Sequence, residues 1–254
     1  MLTKRLYATL FAFFIFIAPS CTKDDEIEEL PKEVCKTVAS GTKIMPLGAS
    51  RVQGFPPFFE SYRYELWKDL IDGGWAIDFV GTREDETIYA AYADYCFDND
   101  HEGRAGWQAA QIDDSIDAWL DKTGIPDIVL FSSPGGNDVL DGVDVEVALV
   151  HVNSIIDKIQ ARNPNVTILI EQLAPAKTSY MTEELTAIFA QIKGIIAQMA
   201  TEQTTATSQV IPVDMATGFT DALLADDLHY NKAGAEFVAA RYYEKLLPFL
   251  SHRL

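Results

Sequence analysis

The chain has 254 residues, 48% hydrophobic and 23% charged, within the range of an ordinary globular protein of one large or two small domains. Its formal charge of −18 excludes nucleic acid and anionic lipid surfaces as favoured partners, since both would be repelled. A neutral or cationic substrate is the easier fit.

The first segment is a targeting signal. Lys4 and Arg5 precede an apolar run, Leu6–Ala18, that is short for a membrane span, and small residues then lead into Cys21. Ala18-Pro19-Ser20-Cys21 resembles a bacterial lipoprotein signal, in which the cysteine is lipidated and becomes the mature N-terminus. The acidic stretch after it resembles the export signal of bacterial surface lipoproteins. Residues 22–33 hold six acids and two bases, −4 of the total charge. The expected organisation is a signal peptide over 1–20, a lipidated Cys21 and acidic tether over 21–40, and one domain over 41–254. The protein is then exported, as an outer-membrane or cell-surface lipoprotein. Ala18-x-Ser20 also suits ordinary signal cleavage, which would leave a secreted or periplasmic protein. Cys35 and Cys96 remain; an oxidising compartment would permit a bridge, but two unrelated thiols is the plainer reading. No Cys/His cluster has metal-ligand spacing.

Past the tether, short β-branched runs alternate with longer amphipathic ones. Strands are expected at Lys43–Leu47, Ala76–Val80, Asp127–Phe131, Thr167–Glu171 and Gln209–Val213. Helices are expected at Tyr62–Ile71, Ala109–Leu120, Val145–Ile159, Glu183–Ala200 and Lys232–Leu247. Such alternation predicts an α/β fold whose parallel sheet is covered on both faces. Residues 82–107 lack periodicity and read as a long loop. Its Tyr89, Tyr92, Tyr95 and Phe97 either offer an aromatic face to sugar rings or pack the loop onto the body, the commoner role.

In an open parallel sheet, ligands bind beyond the C-terminal strand ends. Ser50 lies three residues past the first strand, Asn137 just past the third, and His229 beyond the fifth. Convergence there predicts an ester-hydrolase site. Ser50, in a glycine-containing turn, is the nucleophile candidate. Of the four histidines, His252 sits near the C-terminus, His151 inside a helix, and His101 in the long loop, where it is a candidate to line the pocket. His229 has Asp226 three residues before it, close enough to orient the ring and stabilise the imidazolium. Asp227 would point elsewhere. Oxyanion donors would be the backbone N–H groups of Ser50 and Gly106 and the Asn137 side-chain amide. Gly103 competes with Gly106, which is preferred because Trp107 and a helix follow it directly. Asp138 is expected to hold the Asn137 turn.

Together Gly48-Ala49-Ser50, Gly106, Gly136-Asn137-Asp138 and Asp226-x-x-His229 resemble the SGNH hydrolases of the GDSL esterase superfamily, from about Lys43 to Leu247. Lys43–Gly48, Tyr62-Arg63-Tyr64-x-Leu66-Trp67, Asp78-Phe79-Val80-Gly81 and His101-Glu102-Gly103-x-x-Gly106-Trp107 are similar to carbohydrate esterase family 3. The resemblance implies a three-layer α/β/α sandwich with a five-stranded parallel sheet, serine catalysis without metal or cofactor, and an acetylated polysaccharide as substrate. Two positions depart from the pattern. Ala49 replaces the usual Asp, removing a brace around the serine but no reacting atom. Gly136 stands where threonine is common. Two other functions fit the same residues. One is a lysophospholipase or short-chain arylesterase. The other, suggested by Ala49, is a glycan-binding protein with weakened catalysis.

Overall fold

The computed structural model describes residues 35–38 and 40–254. The signal peptide, Cys21 and the acidic tether up to residue 34 lie outside the described residues.

The strands are β1 (Thr42–Gly48), β2 (Ile77–Phe79), β3 (Glu102–Gly103), β4 (Ile128–Phe131), β5 (Thr167–Gln172) and β6 (Gln209–Asp214). The helices are α1 (Ser50–Gln53), α2 (Tyr62–Asp72), α3 (Ala109–Thr123), α4 (Gly136–Leu140), α5 (Val145–Arg162), α6 (Glu183–Gln203) and α7 (Lys232–Leu246). The sheet order is β2-β1-β4-β5-β6, with every pairing parallel.

The sheet has six strands rather than the expected five, because the loop over 82–107 contributes β3. β2 pairs the first half of β1, Thr42 with Ile77 through Ile44 with Phe79. β3 pairs its last two residues, Leu47 with Glu102 and Gly48 with Gly103. The strand is invisible to periodicity because two residues carry no period, and one of them is a fully buried glutamate.

Alternation along the strands divides the core into two layers. Met45, Leu47, Val129, Phe131, Ile168 and Ile170 pack with α3, α5 and α6. Ile44, Ile128, Leu130 and Leu169 face α2 and α7. Helix beginnings are set by side-chain caps: Ser61, Asp144, Thr182 and Asn231 each accept a backbone N–H from the first turn of α2, α5, α6 and α7.

The long loop is tied down. Cys35 and Cys96 form a disulfide with Cα atoms 5.1 Å apart, which corrects the reading of two unrelated thiols. The pairing depends on how the chain between them folds, over a separation of 61 positions, which no local pattern reports. Tyr89 and Phe97 pack with Tyr64 and Trp67 at centroid distances of 4.7–5.8 Å, and Tyr92 meets the Trp67 edge. Those aromatics therefore hold the loop to α2 rather than presenting a face to solvent. Beneath them the buried Arg63 guanidinium contacts both carboxylate oxygens of Asp85, at 2.7 and 2.8 Å. It also donates to the carbonyls of Val52 and Gln53 at the end of α1.

Candidate active site

Because the strands are parallel, β1, β3, β4 and β6 all deliver their C-terminal ends to one edge of the sheet. Ser50 opens α1 immediately after β1. The turn is tight: a Cβ on Gly48, at φ +153°, would lie 2.7 Å from the Ser132 carbonyl. Gly103, its partner across β1 and β3, is equally confined by the backbone of Gln53. Two facing glycines let the serine turn and the β3 end approach each other.

Ser50 Oγ lies 2.9 Å from Nε2 of His229, and Nδ1 of His229 lies 2.8 Å from Oδ2 of Asp226. The other Asp226 oxygen accepts the backbone N–H groups of Leu228 and His229, at 2.8 and 2.7 Å. Burial alone would raise this carboxyl, but those two N–H groups and the ring outweigh it and hold Asp226 below the ordinary carboxylate range. A charged Asp226 accepts from Nδ1–H, which leaves Nε2 free to accept the serine proton.

The oxyanion candidates assemble around this chain. Asn137 Nδ2 donates to the Trp107 carbonyl at 2.8 Å, tying the amide to the residue after Gly106. The Gly103 N–H donates to Nδ1 of His101 at 2.9 Å, so it is occupied. Among the described residues, the Gly106 N–H meets no protein acceptor. Asp138 accepts the Ala109 N–H through both oxygens, at 3.2 and 3.0 Å, binding α4 to the start of α3.

The other histidines go elsewhere. His101 is buried, with Nε2 3.1 Å from Asp85. Burial and Arg63 lower its pKa to about 4, so it is neutral near pH 7 and holds β3. It does not join the cavity beside Ser50. His151 pairs with Asp113 between α5 and α3. His252 sits 3.3 Å from the Thr42 hydroxyl near the other end of β1. Asp227 is exposed and offers only its carbonyl, to Lys177.

Three supports escaped sequence reasoning. Arg51 donates to the carbonyls of Leu228 and Ala174, each at 2.9 Å, joining the serine helix to the histidine loop. Phe59 stacks on His229 with centroids 4.0 Å apart. Glu171, fully buried at the end of β5, accepts from Ser132 Oγ, the Ser133 N–H and Tyr242 OH at 2.8–2.9 Å. Burial pushes its pKa up. Ser133 has φ +49°, an unfavourable conformation outside glycine, and the Glu171 carboxylate holds its N–H there. Only the apolar setting of Glu171 in Thr167–Gln172 marks it in the sequence.

A cavity of about 40 Å3 opens beside Ser50, His229 and Asn137, walled by Leu140, Leu173 and Phe189. One water needs roughly 10–15 Å3 by this measure, so the space suits about three heavy atoms.

A parallel sheet in a three-layer fold, with a Ser–His–Asp chain at the strand ends, is an arrangement found in serine hydrolases. The GDSL-like lipase/acylhydrolase family model matches residues 48–237. Among solved structures, a carbohydrate esterase family 3 protein from Talaromyces cellulolyticus is 27% identical. That match has a TM-score of 0.71 and covers 82% of this chain and 97% of the other. An acetyl esterase serine-to-alanine mutant with an acetate ion is 28% identical, with the same TM-score and coverage. The family 3 carbohydrate esterase of Clostridium thermocellum is 29% identical, with a TM-score of 0.65, covering 84% of this chain and 97% of the other. Comparison with curated protein sequences gives no match. The chain belongs to the GDSL-like lipase/acylhydrolase family and is a carboxylic ester hydrolase.

Proposed function

We propose that this ester hydrolase removes acetyl groups from plant-type polysaccharide, in the manner of an acetyl xylan esterase. The observation that carries the reading is the small cavity at the end of the Asp226–His229–Ser50 chain, which has room for an acetyl group. The likeness to family 3 carbohydrate esterases supports a glycan as the alcohol.

In the proposed reaction His229 Nε2 takes the Ser50 proton as Oγ attacks the acetyl carbonyl. The Ser50 and Gly106 N–H groups and the Asn137 amide stabilise the oxyanion. His229 then protonates the leaving sugar oxygen as its bond to the acetyl carbon breaks, leaving an acetyl ester on Ser50. Water, deprotonated by His229, attacks that ester; acetate leaves and the proton returns to Ser50. Asp226 stays charged throughout and stabilises the imidazolium. Export and a lipid anchor at Cys21 would place the enzyme at the cell surface, where it meets polymer too large to import; that placement rests on the N-terminal sequence.

The test is acetate release from acetylated xylan, with Ser50→Ala as control, beside 4-nitrophenyl esters from acetyl to octanoyl. Serine-dependent release from xylan and a sharp fall beyond short acyl chains are expected. Preference for octanoate would point to a lipid substrate. No serine-dependent turnover of any ester would make this a binding protein.

A further inference from the structure

Phe55 and Phe58 are 57% and 69% exposed, the only exposed phenylalanines among the described residues. Rings left in water contribute less to folding than buried ones, so folding does not explain two adjacent exposed phenylalanines. Their rings stack on each other at 5.2 Å, Phe55 meets Phe59 at 6.1 Å, and Phe59 lies on His229 at 4.0 Å. A row of rings therefore runs from solvent to the imidazole. The turn carrying them is held by its own bonds, Phe55 N–H to the Phe59 carbonyl at 3.0 Å and Phe58 N–H to the Phe55 carbonyl at 2.9 Å. Glu60 N–H then donates to the Tyr230 carbonyl at 2.8 Å, pinning the turn beside the histidine.

Phe55 also walls a second cleft, of about 410 Å3. Arg83, Glu84, Asp85, Glu86, Thr87 and His101 also line it, and so does Gln53. An apolar face beside hydrogen-bonding side chains matches a sugar ring, whose C–H face is apolar and whose rim is hydroxyl. The two glutamates disfavour an acidic sugar. Gln53 Oε1 accepts the Ala105 N–H at 2.8 Å, which places the cleft next to Gly106. The small cavity takes Ser50 and Arg51 of α1 and this cleft takes Gln53, and the two share no lining residue. One would take the acyl group and the other the alcohol.

We propose that Phe55, Phe58 and this cleft form a subsite for a neutral pyranose ring of the polymer, next to the ring that carries the ester. The proposal deepens the glycan-esterase reading and rests on it for the direction of the chain.

The experiment measures binding and turnover separately, on the full chain, comparing wild type with the Phe55→Ala/Phe58→Ala double variant. Calorimetry with unacetylated xylohexaose, cellohexaose and mannohexaose is expected to give binding to at least one in wild type, weakened about tenfold in the variant. The ratio of kcat/KM for acetylated xylo-oligosaccharide to that for 4-nitrophenyl acetate should fall by a similar factor. The single variant Phe55→Tyr should keep both near wild type. No wild-type binding to any of the three, or equal binding by the variant, overturns the subsite. A loss confined to 4-nitrophenyl octanoate also overturns it and assigns the rings to acyl chains. Ring-dependent binding without acetate release from any glycan keeps the subsite and removes the deacetylation reading.

Discussion

Phe59 lies almost parallel to the His229 imidazole, 18° between ring planes and 4.0 Å between centroids. Asp226 fixes the ring along its Nδ1 edge, and Phe59 fixes its face. Phe59→Ala should therefore lower kcat by about tenfold, roughly 1.4 kcal/mol, with little change in KM for 4-nitrophenyl acetate. Phe59→Tyr should retain most of the rate. Steady-state kinetics of the two variants checks both.

Asn137→Ala removes the amide proposed to stabilise the oxyanion and also its bond to the Trp107 carbonyl. A loss of about 10²–10³ in kcat is expected. The loss should appear equally in kcat and kcat/KM, because the interaction strengthens only as the oxyanion forms. A change confined to KM would assign Asn137 to ground-state binding.

Glu171 gathers donors from the turn after β4 and from α7 at one fully buried carboxyl. Glu171→Leu leaves those donors without an acceptor, at about 1–3 kcal/mol each. Glu171→Gln keeps an acceptor and should cost far less. Urea unfolding separates the variants. Esterase kinetics on the Gln variant then shows whether the carboxyl matters beyond stability.

Asp98 is a largely buried carboxyl accepting the Phe79 N–H, and burial raises its pKa to about 7. Its folded-state value lies above the unfolded value near 3.9, so the stability tied to its protonated form is present in full below pH 4 and lost as pH rises through 7. Asp98→Asn should match wild-type stability near pH 4, gain on it from pH 4 to 7, and hold a constant advantage above. Melting temperatures of both proteins across pH 4–9 test the sign.

Arg63→Ala would strip Asp85 of its buried partner and α1 of the guanidinium that binds its last carbonyls. Burial pushes Asp85 up, but His101, Arg63 and Tyr89 together lower it to about 2, so the variant would leave a buried carboxylate without its cation. A loss of about 3–5 kcal/mol is expected in chemical denaturation.

Legibility in the sequence followed the range of each interaction. All five expected helices begin at the residue read from the sequence, because caps such as Ser61 and Asp144 act over two or three positions. Three of their ends, at Thr123, Arg162 and Gln203, fall three residues later than expected; α3 and α5 run on to local stops, at Gly124 and at Asn163-Pro164. Asp226 and His229 were visible as a pair because one turn spans them.

The sequence by itself determined the alternation of strands and helices, the edge where chemistry gathers, and the residue types that gather there. Tertiary structure alone decided that Ser50 and His229, 179 positions apart, stand 2.9 Å from each other. It also decided that Cys35 and Cys96 pair, that Tyr89 and Phe97 turn inward, and that Phe55 and Phe58 turn outward. Periodicity and capping depend on neighbours a few residues away and can be read along the chain. Which aromatic is covered, and which carboxylate is buried against which donor, depends on surfaces that exist only after the sheet has closed.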